Sequence, residues 1–88
     1  MDQLTYQEEL RAAQAVLAPL SDHASIAGDG NAMFLSVSRE ARGVELYRHG
    51  DRVLIDTAID GQLLGERDFT SIDAAVEAAK RWLSGTNE

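Results

Sequence analysis

The stretch GVELYRHGDRVLID at positions 43–56 decides the fold. Apolar and polar residues alternate on both sides of its Gly50-Asp51 pair, and this pattern predicts two β-strands joined by a tight turn. With Gly50-Asp51 as a two-residue loop, one side of the hairpin carries the apolar side chains of Val44, Leu46, Val53 and Ile55. A loop at positions 49–50 would scatter them over both sides, which is unfavourable where one face of a sheet is buried.

Two neighbouring stretches extend the hairpin into a predicted sheet of three or four antiparallel strands. Positions 33–38 alternate in the same way before it, and positions 62–69 form a weaker strand after it. The Asp-Gly pair at 60–61 suits a type I′ turn, because both central positions of that turn need positive φ. Pairing through this turn places Glu66 on the apolar side of the sheet, unless a bulge at Gly65 reverses the alternation.

Helical periodicity precedes and follows the strands. The first helix is ended by Pro19, and its apolar stripe consists of Tyr6, Leu10, Ala13, Leu17 and Leu20. The second helix begins after the N-cap Ser71, and its stripe consists of Ile72, Ala75, Val76, Ala79, Trp82 and Leu83. Positions 21–31 are predicted to form a loop. The sequence therefore predicts a two-layer α+β sandwich of order α-β-β-β-(β)-α, with an antiparallel sheet and both helices on one face.

The composition limits the size of the protein and the kind of partner it can have. Its 88 residues suffice for a single domain, 1–88, with one core. Fifteen acidic against eight basic side chains give a net charge of −7, which disfavours nucleic acid and anionic membranes as partners. The sequence has no cysteine, no apolar run near the roughly 20 residues of a membrane span, and no recognisable secretory signal. A cytoplasmic location is expected.

No motif of catalytic chemistry is recognised in the sequence. His23 and His49 lie near no nucleophile motif such as Gly-x-Ser-x-Gly, and acidic residues near hairpin ends are typical of solvated turns. Neither a calcium loop, a zinc motif nor a phosphate-binding loop fits the chain. We therefore expect a protein that is not an enzyme and that uses no metal or cofactor. The remaining catalytic hypothesis is a small hydrolase or isomerase that uses His49 with Asp56.

The side of the predicted sheet away from the helices, called the open face below, mixes apolar and charged groups. It carries Phe34, Ser36, Ser38, Glu45, Tyr47, His49, Arg52, Leu54, Asp56 and Leu63. The uncovered side of an antiparallel sheet is normally polar, so aromatic and aliphatic groups among charged ones indicate an interaction site. Tyr47 opposite Leu54 would be its anchor.

Two carboxylates on the open face indicate the kind of partner. The register sets Glu45 opposite Asp56, and like charges opposite each other destabilise a strand pair by roughly 0.2–1 kcal/mol. A basic partner would turn this repulsion into attraction and would accelerate association. Alternatively, Arg48 or Arg52 neutralises the pair, or a second copy of the chain covers the face. The predicted partner-binding residues are Phe34, Glu45, Tyr47, Leu54, Asp56, Asp60 and Glu66.

In its size, its acidity, its lack of catalytic motifs and its mixed apolar and acidic face, the chain resembles the small immunity proteins of bacterial toxin systems. Such proteins bind and block a cognate toxin, often a nuclease or another enzyme with a basic active-site cleft. The resemblance implies a non-catalytic inhibitor that binds and occludes a cognate toxin with a basic active site.

The order of elements also resembles the double-stranded-RNA-binding domain, and SIDAAVEAAKRWL at 71–83 is similar to the second helix of that family. The family begins this helix with paired lysines that bind phosphate, whereas this chain has Ile72 and Asp73. The resemblance therefore implies, as the alternative, a homodimeric adaptor or protein-interaction module without RNA binding.

Overall fold

Five strands form one antiparallel sheet in which the order in space follows the order in the chain. The computed structural model describes residues 3–85. In chain order the elements are α1 (Gln3–Leu17), β1 (His23–Ala27), β2 (Phe34–Arg39), β3 (Arg42–His49), β4 (Arg52–Ile59), β5 (Gln62–Phe69) and α2 (Ile72–Leu83). Short 3-10 helices lie at Ala18–Leu20 and Gly30–Ala32. The predicted α+β class and the antiparallel sheet are confirmed.

Both helices pack on the same face of the sheet, as predicted. α1 lies over β1 and β2, whereas α2 lies over β3, β4 and β5, and the two helices also contact each other. The four apolar side chains of the predicted hairpin are each at most 3% exposed. The core therefore lies between the helices and this face of the sheet, and the open face is the other side.

The first helix is shorter than its predicted apolar stripe. α1 ends at Leu17, and the chain continues as a 3-10 turn that contains Pro19. Proline lacks the amide proton that another α-helical turn would need. The turn leaves Leu20 39% exposed, so the prediction that Leu20 belongs to the buried stripe is wrong.

The segment predicted as a loop at 21–31 contains an edge strand, so this prediction is wrong and the sheet has five strands. β1 pairs with β2 along its whole length. Ala24 and Ile26 pack against the core, and the side-chain amide of Gln14 on α1 donates to the carbonyl oxygen of Ala24 at 3.0 Å. β1 has only a weak alternation of apolar residues, so its pairing with β2 and its contact with α1 keep it in the sheet.

The predicted register of the β3–β4 hairpin is confirmed. Tyr47 lies opposite Leu54, and Glu45 lies opposite Asp56. The loop consists of positions 50–51, and the φ of 64° at its first residue matches a type II′ turn. The apolar residues of both strands therefore face the helices, and their neighbours face the open side.

A bulge in β5 decides where Glu66 lies. The turn at 60–61 has φ values of 54° and 79°, as the predicted type I′ geometry requires. Pairing with β4 then shifts by one residue, and Leu64 is the extra residue without an opposite partner. The shift reverses the alternation and sets Glu66 opposite Asp56, on the open face. The predicted alternative with a bulge is correct, although the extra residue is Leu64 rather than Gly65.

Two aromatic side chains join the helices to the backbone of the sheet. The buried hydroxyl of Tyr6 on α1 donates to the carbonyl oxygen of Met33 at 2.6 Å and accepts from the amide of Arg48 at 3.0 Å. The indole N–H of Trp82 on α2 donates to the carbonyl oxygen of Gly43 at 2.8 Å. These bonds fix β3 relative to both helices, and β3 supplies the central side chains of the open face.

Candidate functional site

One row of side chains on the open face is acidic. Glu45 on β3 lies opposite Asp56 on β4, and Asp56 lies opposite Glu66 on β5. We call these three residues the acidic row. Asp56 in the middle is half-buried, whereas the two outer residues are exposed. Because like charges on facing strands repel, the row destabilises the isolated sheet.

A second row runs parallel to the first, two residues along the strands and therefore about 7 Å away. Tyr47 lies opposite Leu54. Phe34, at the start of β2, continues this row on the next strand. We call these three half-buried residues the apolar row. The open face therefore presents apolar surface directly beside a line of carboxylates.

The hydroxyl of Tyr47 links the two rows. It donates to Oε2 of Glu66 at 2.8 Å, and Oδ1 of Asp56 lies 3.4 Å away. Burial raises the pKa of the Tyr47 phenol well above its usual range, and the hydrogen bond to Glu66 and the charge of Asp56 act in the same direction. The hydroxyl therefore keeps its proton and acts as a hydrogen-bond donor to the acidic row.

The environment of Asp56 makes ionisation of its carboxyl group less favourable than in water. Burial raises the pKa of Asp56 above its usual range, and the nearby carboxylate of Glu66 raises it further. The hydrogen bond from Tyr47 opposes these effects only in part. The ionised row is thus under electrostatic strain that a positive charge brought to the face would relieve.

The arginines that could neutralise the acidic row bind other carboxylates. Nη2 of Arg48 lies 3.0 Å from Glu9 on α1, and Nη2 of Arg52 lies 3.1 Å from Asp68 on β5. Within residues 3–85, no ion pair involves a member of the acidic row. The expected alternative, in which Arg48 or Arg52 neutralises Glu45 and Asp56, is therefore not the arrangement that the structure shows.

A shallow groove of about 260 Å³ lies beside the acidic row. Glu45 and Asp56 line it together with Ser36, Ser38, Ala58, Gly61 and Leu63. Gly43 lies opposite Ala58, so two small residues leave room above the sheet. The sequence analysis did not predict this groove. Gly43 could have indicated it, because a glycine inside a strand often marks a place where another molecule approaches the backbone closely.

The structure brings six of the seven predicted partner-binding residues onto the open face. These are Phe34, Glu45, Tyr47, Leu54, Asp56 and Glu66. Asp60 instead lies in the β4–β5 turn, where its backbone amide donates to the carbonyl oxygen of Ala41 at 2.8 Å. Its side chain is exposed at the end of the sheet, outside the two rows.

The proposed catalytic pair is separated in the sheet. His49 lies opposite Arg52 at the hairpin end, and the Tyr47–Leu54 pair lies between it and Asp56. The described part of the chain holds no group of three or more histidine, cysteine or acidic side chains arranged to bind a metal ion. Among residues 3–85, no helix is both long and apolar enough to span a membrane.

Comparison with known proteins gives no relative from which a role could be transferred. No protein-family model matches the sequence, no curated protein is significantly similar to it, and no solved structure matches its fold at a significant level. The geometry and the charges of the open face are therefore the observations that bear on function.

The raised pKa of Asp56 predicts that its charge lowers stability at neutral pH. We expect Asp56→Asn to increase the free energy of unfolding at pH 7 by about 0.5 kcal/mol, a value within the range for like-charged cross-strand pairs. When the pKa of a carboxyl group is higher in the folded than in the unfolded protein, its ionised form lowers the free energy of unfolding at any pH above the folded-state pKa. Below 3.8, the ordinary pKa of an aspartate, the group is protonated in both states and no longer affects stability. The stability that Asp56→Asn adds over the wild type should therefore disappear as the pH falls towards 3.8.

Urea unfolding of the wild type and of Asp56→Asn at pH 7, 5 and 4 measures this effect. Asp68→Asn is the matched control, because it also removes one negative charge from the open face but breaks the ion pair with Arg52. We expect the control to be neutral or slightly destabilising at pH 7. A stabilising effect of Asp56→Asn that grows towards acid pH would contradict the assignment.

Proposed function

We propose that this protein is a non-catalytic inhibitor, an immunity protein that binds a cognate bacterial toxin and occludes its basic active site. The open face is the binding surface. The apolar row supplies the anchoring contacts, and the acidic row occupies the position of an anionic substrate. The complex would form in the cytoplasm, where such a toxin threatens the cell that makes it.

The observation that carries the proposal is an acidic row without an ion-pair partner in residues 3–85, next to a half-buried apolar row. Arg48 lies on the helix side of the sheet, where it is paired with Glu9, and Arg52 on the open face is paired with Asp68. A basic partner would therefore gain the attraction of three carboxylates while it relieves their mutual repulsion. Apolar side chains beside charged ones provide the mixed core and rim that protein interfaces use.

The chemistry of the face also favours a heterologous partner over a second copy. Face-to-face dimerisation would bring two acidic rows into one interface in a chain whose net charge is already −7. Like-charge contacts across an interface cost several kcal/mol. A homodimeric adaptor is therefore the weaker candidate. Light scattering at the concentrations used for binding distinguishes the two, because the proposed inhibitor is expected to be a monomer when it is alone and the adaptor a dimer.

The test uses the product of the gene adjacent to the one that encodes this chain, as the candidate toxin, in calorimetric titrations. We expect Glu45→Lys to raise the Kd at least about tenfold, because one charge of the acidic row is reversed. Glu8→Lys makes the same charge change at an exposed position on α1 and should alter the Kd less than about twofold. The association rate should fall as salt is added.

Two results would contradict the proposal. Equal effects of Glu45→Lys and Glu8→Lys would show that binding depends on net charge alone and does not involve the open face. A complex that forms without reducing the activity of the candidate toxin would exclude occlusion of its active site. Inhibition that is lost with Glu45→Lys and retained with Glu8→Lys supports the proposal.

A further inference from the structure

The helical layer has an apolar groove of its own, on the side of the molecule opposite the open face. The groove runs between α1 and α2 and has a volume of about 300 Å³. Its apolar lining consists of Ala12, Ala13, Val16, Ile72 and Val76. This volume is at the lower end of small-molecule pockets and suits one or two aliphatic side chains.

Val16 is a large apolar side chain of this groove that lies outside the buried core. It is 47% exposed, whereas Ala13 and Val76, which also line the groove, belong to the buried core. Ala12 precedes Val16 by one helical turn, and its small side chain leaves the floor of the groove open. An exposed aliphatic residue in a concave apolar site is a position where a partner side chain gains burial.

The rim of the groove is acidic. Glu9 on α1 and both Asp73 and Glu77 on α2 line it. Glu9 is paired with Arg48, and Glu77 with Lys80 at 3.1 Å in an exposed contact. Asp73 forms no ion pair within residues 3–85. The rim therefore keeps a negative charge that a cation beside the apolar floor could meet.

We infer that this groove is a second docking site, which binds an amphipathic basic segment of a protein partner by inserting an aliphatic side chain between α1 and α2. A helix of such a segment would lay its apolar side on Val16 and Ile72 and direct its lysine or arginine residues to Asp73, which has no ion-pair partner in residues 3–85. A second copy of this chain fits less well, because its own rim would bring carboxylates to carboxylates. The inference concerns a surface separate from the open face and does not rest on the proposed function.

The test uses a synthetic helical peptide of fourteen leucine and lysine residues in an amphipathic order, added to the isotope-labelled full chain. We expect saturable amide shifts in the groove, at Ala12, Val16, Ile72 and Val76. Val16→Gln should weaken the Kd at least about fivefold, because the aliphatic contact is lost without a change in charge. Ala15→Gln, at an exposed neighbouring position that does not line the groove, should change the Kd less than about twofold.

Two further peptides test the apolar contact and the charge attraction separately. Replacing the leucines by glutamine, or the lysines by glutamate, should abolish the shifts in the groove. Shifts that concentrate on the acidic row, or that respond equally to Val16→Gln and Ala15→Gln, would overturn the inference in favour of unspecific charge attraction. Groove shifts that appear on concentrating the protein alone would overturn it in favour of self-association.

Discussion

Replacing Tyr6 by phenylalanine is expected to lower the free energy of unfolding by about 2 kcal/mol. The hydroxyl of Tyr6 is the partner of two backbone groups, the carbonyl of Met33 and the amide of Arg48, and the side chain is only 5% exposed. Phenylalanine fills the same space but leaves both groups unpaired, and each unpaired buried group costs about 1–3 kcal/mol. Urea unfolding at pH 7 measures the loss.

The other tyrosine of the chain is the matched control. Tyr47→Phe also removes one hydroxyl, but the partner of that hydroxyl, Glu66, is exposed and can bind water instead. We expect its effect on stability to stay within about 0.5 kcal/mol. A loss for Tyr6→Phe as small as the one expected for Tyr47→Phe would show that the bonds of Tyr6 to the sheet do not stabilise the packing of α1.

Replacing Tyr47 by alanine is expected to weaken the complex with the proposed toxin by about 2 kcal/mol, or about thirtyfold in Kd. The ring is the largest side chain of the apolar row, and its hydroxyl is bonded to the acidic row, so truncation disturbs both parts of the surface. Tyrosine is a frequent anchor of protein interfaces. Calorimetric titration of the complex measures the change.

Two further variants separate a local effect from a general one. Tyr47→Phe keeps the ring and should retain most of the affinity if apolar contact dominates. Leu20→Ala truncates an exposed aliphatic residue that lies outside both the open face and the groove between the helices, and it should leave this complex unchanged. A Kd for Tyr47→Ala within twofold of the wild type would remove Tyr47 from the binding surface, and with it the occlusion mechanism.

The sequence predicts the central hairpin well because its information is local. Four β-branched or long aliphatic residues, from Val44 to Ile55, alternate around a turn of suitable composition, and only one register buries them all. β1 is different. Ile26 is the only large apolar residue of HASIA, so this strand depends on pairing with β2 and on contact with α1. The residue pattern of the strand itself does not reveal these contacts.

The candidate site was predictable to the same extent. Tyr47, Leu54, Glu45 and Asp56 share the hairpin, so their common face follows from its register. The pairing of Arg48 with Glu9 joins residues 39 positions apart and depends on how α1 packs on the sheet. No local pattern in the sequence indicates such a contact.

The bulge at Leu64 has a consequence for the behaviour of the protein in concentrated solution. β5 is an edge strand, and the edge of a regular strand is a template on which other chains can add and aggregate. The extra residue interrupts this template, and the charged residues that follow, Glu66, Arg67 and Asp68, discourage a neighbouring chain from aligning. The same insertion that turns a carboxylate outward thus helps to keep separate molecules from joining into fibres.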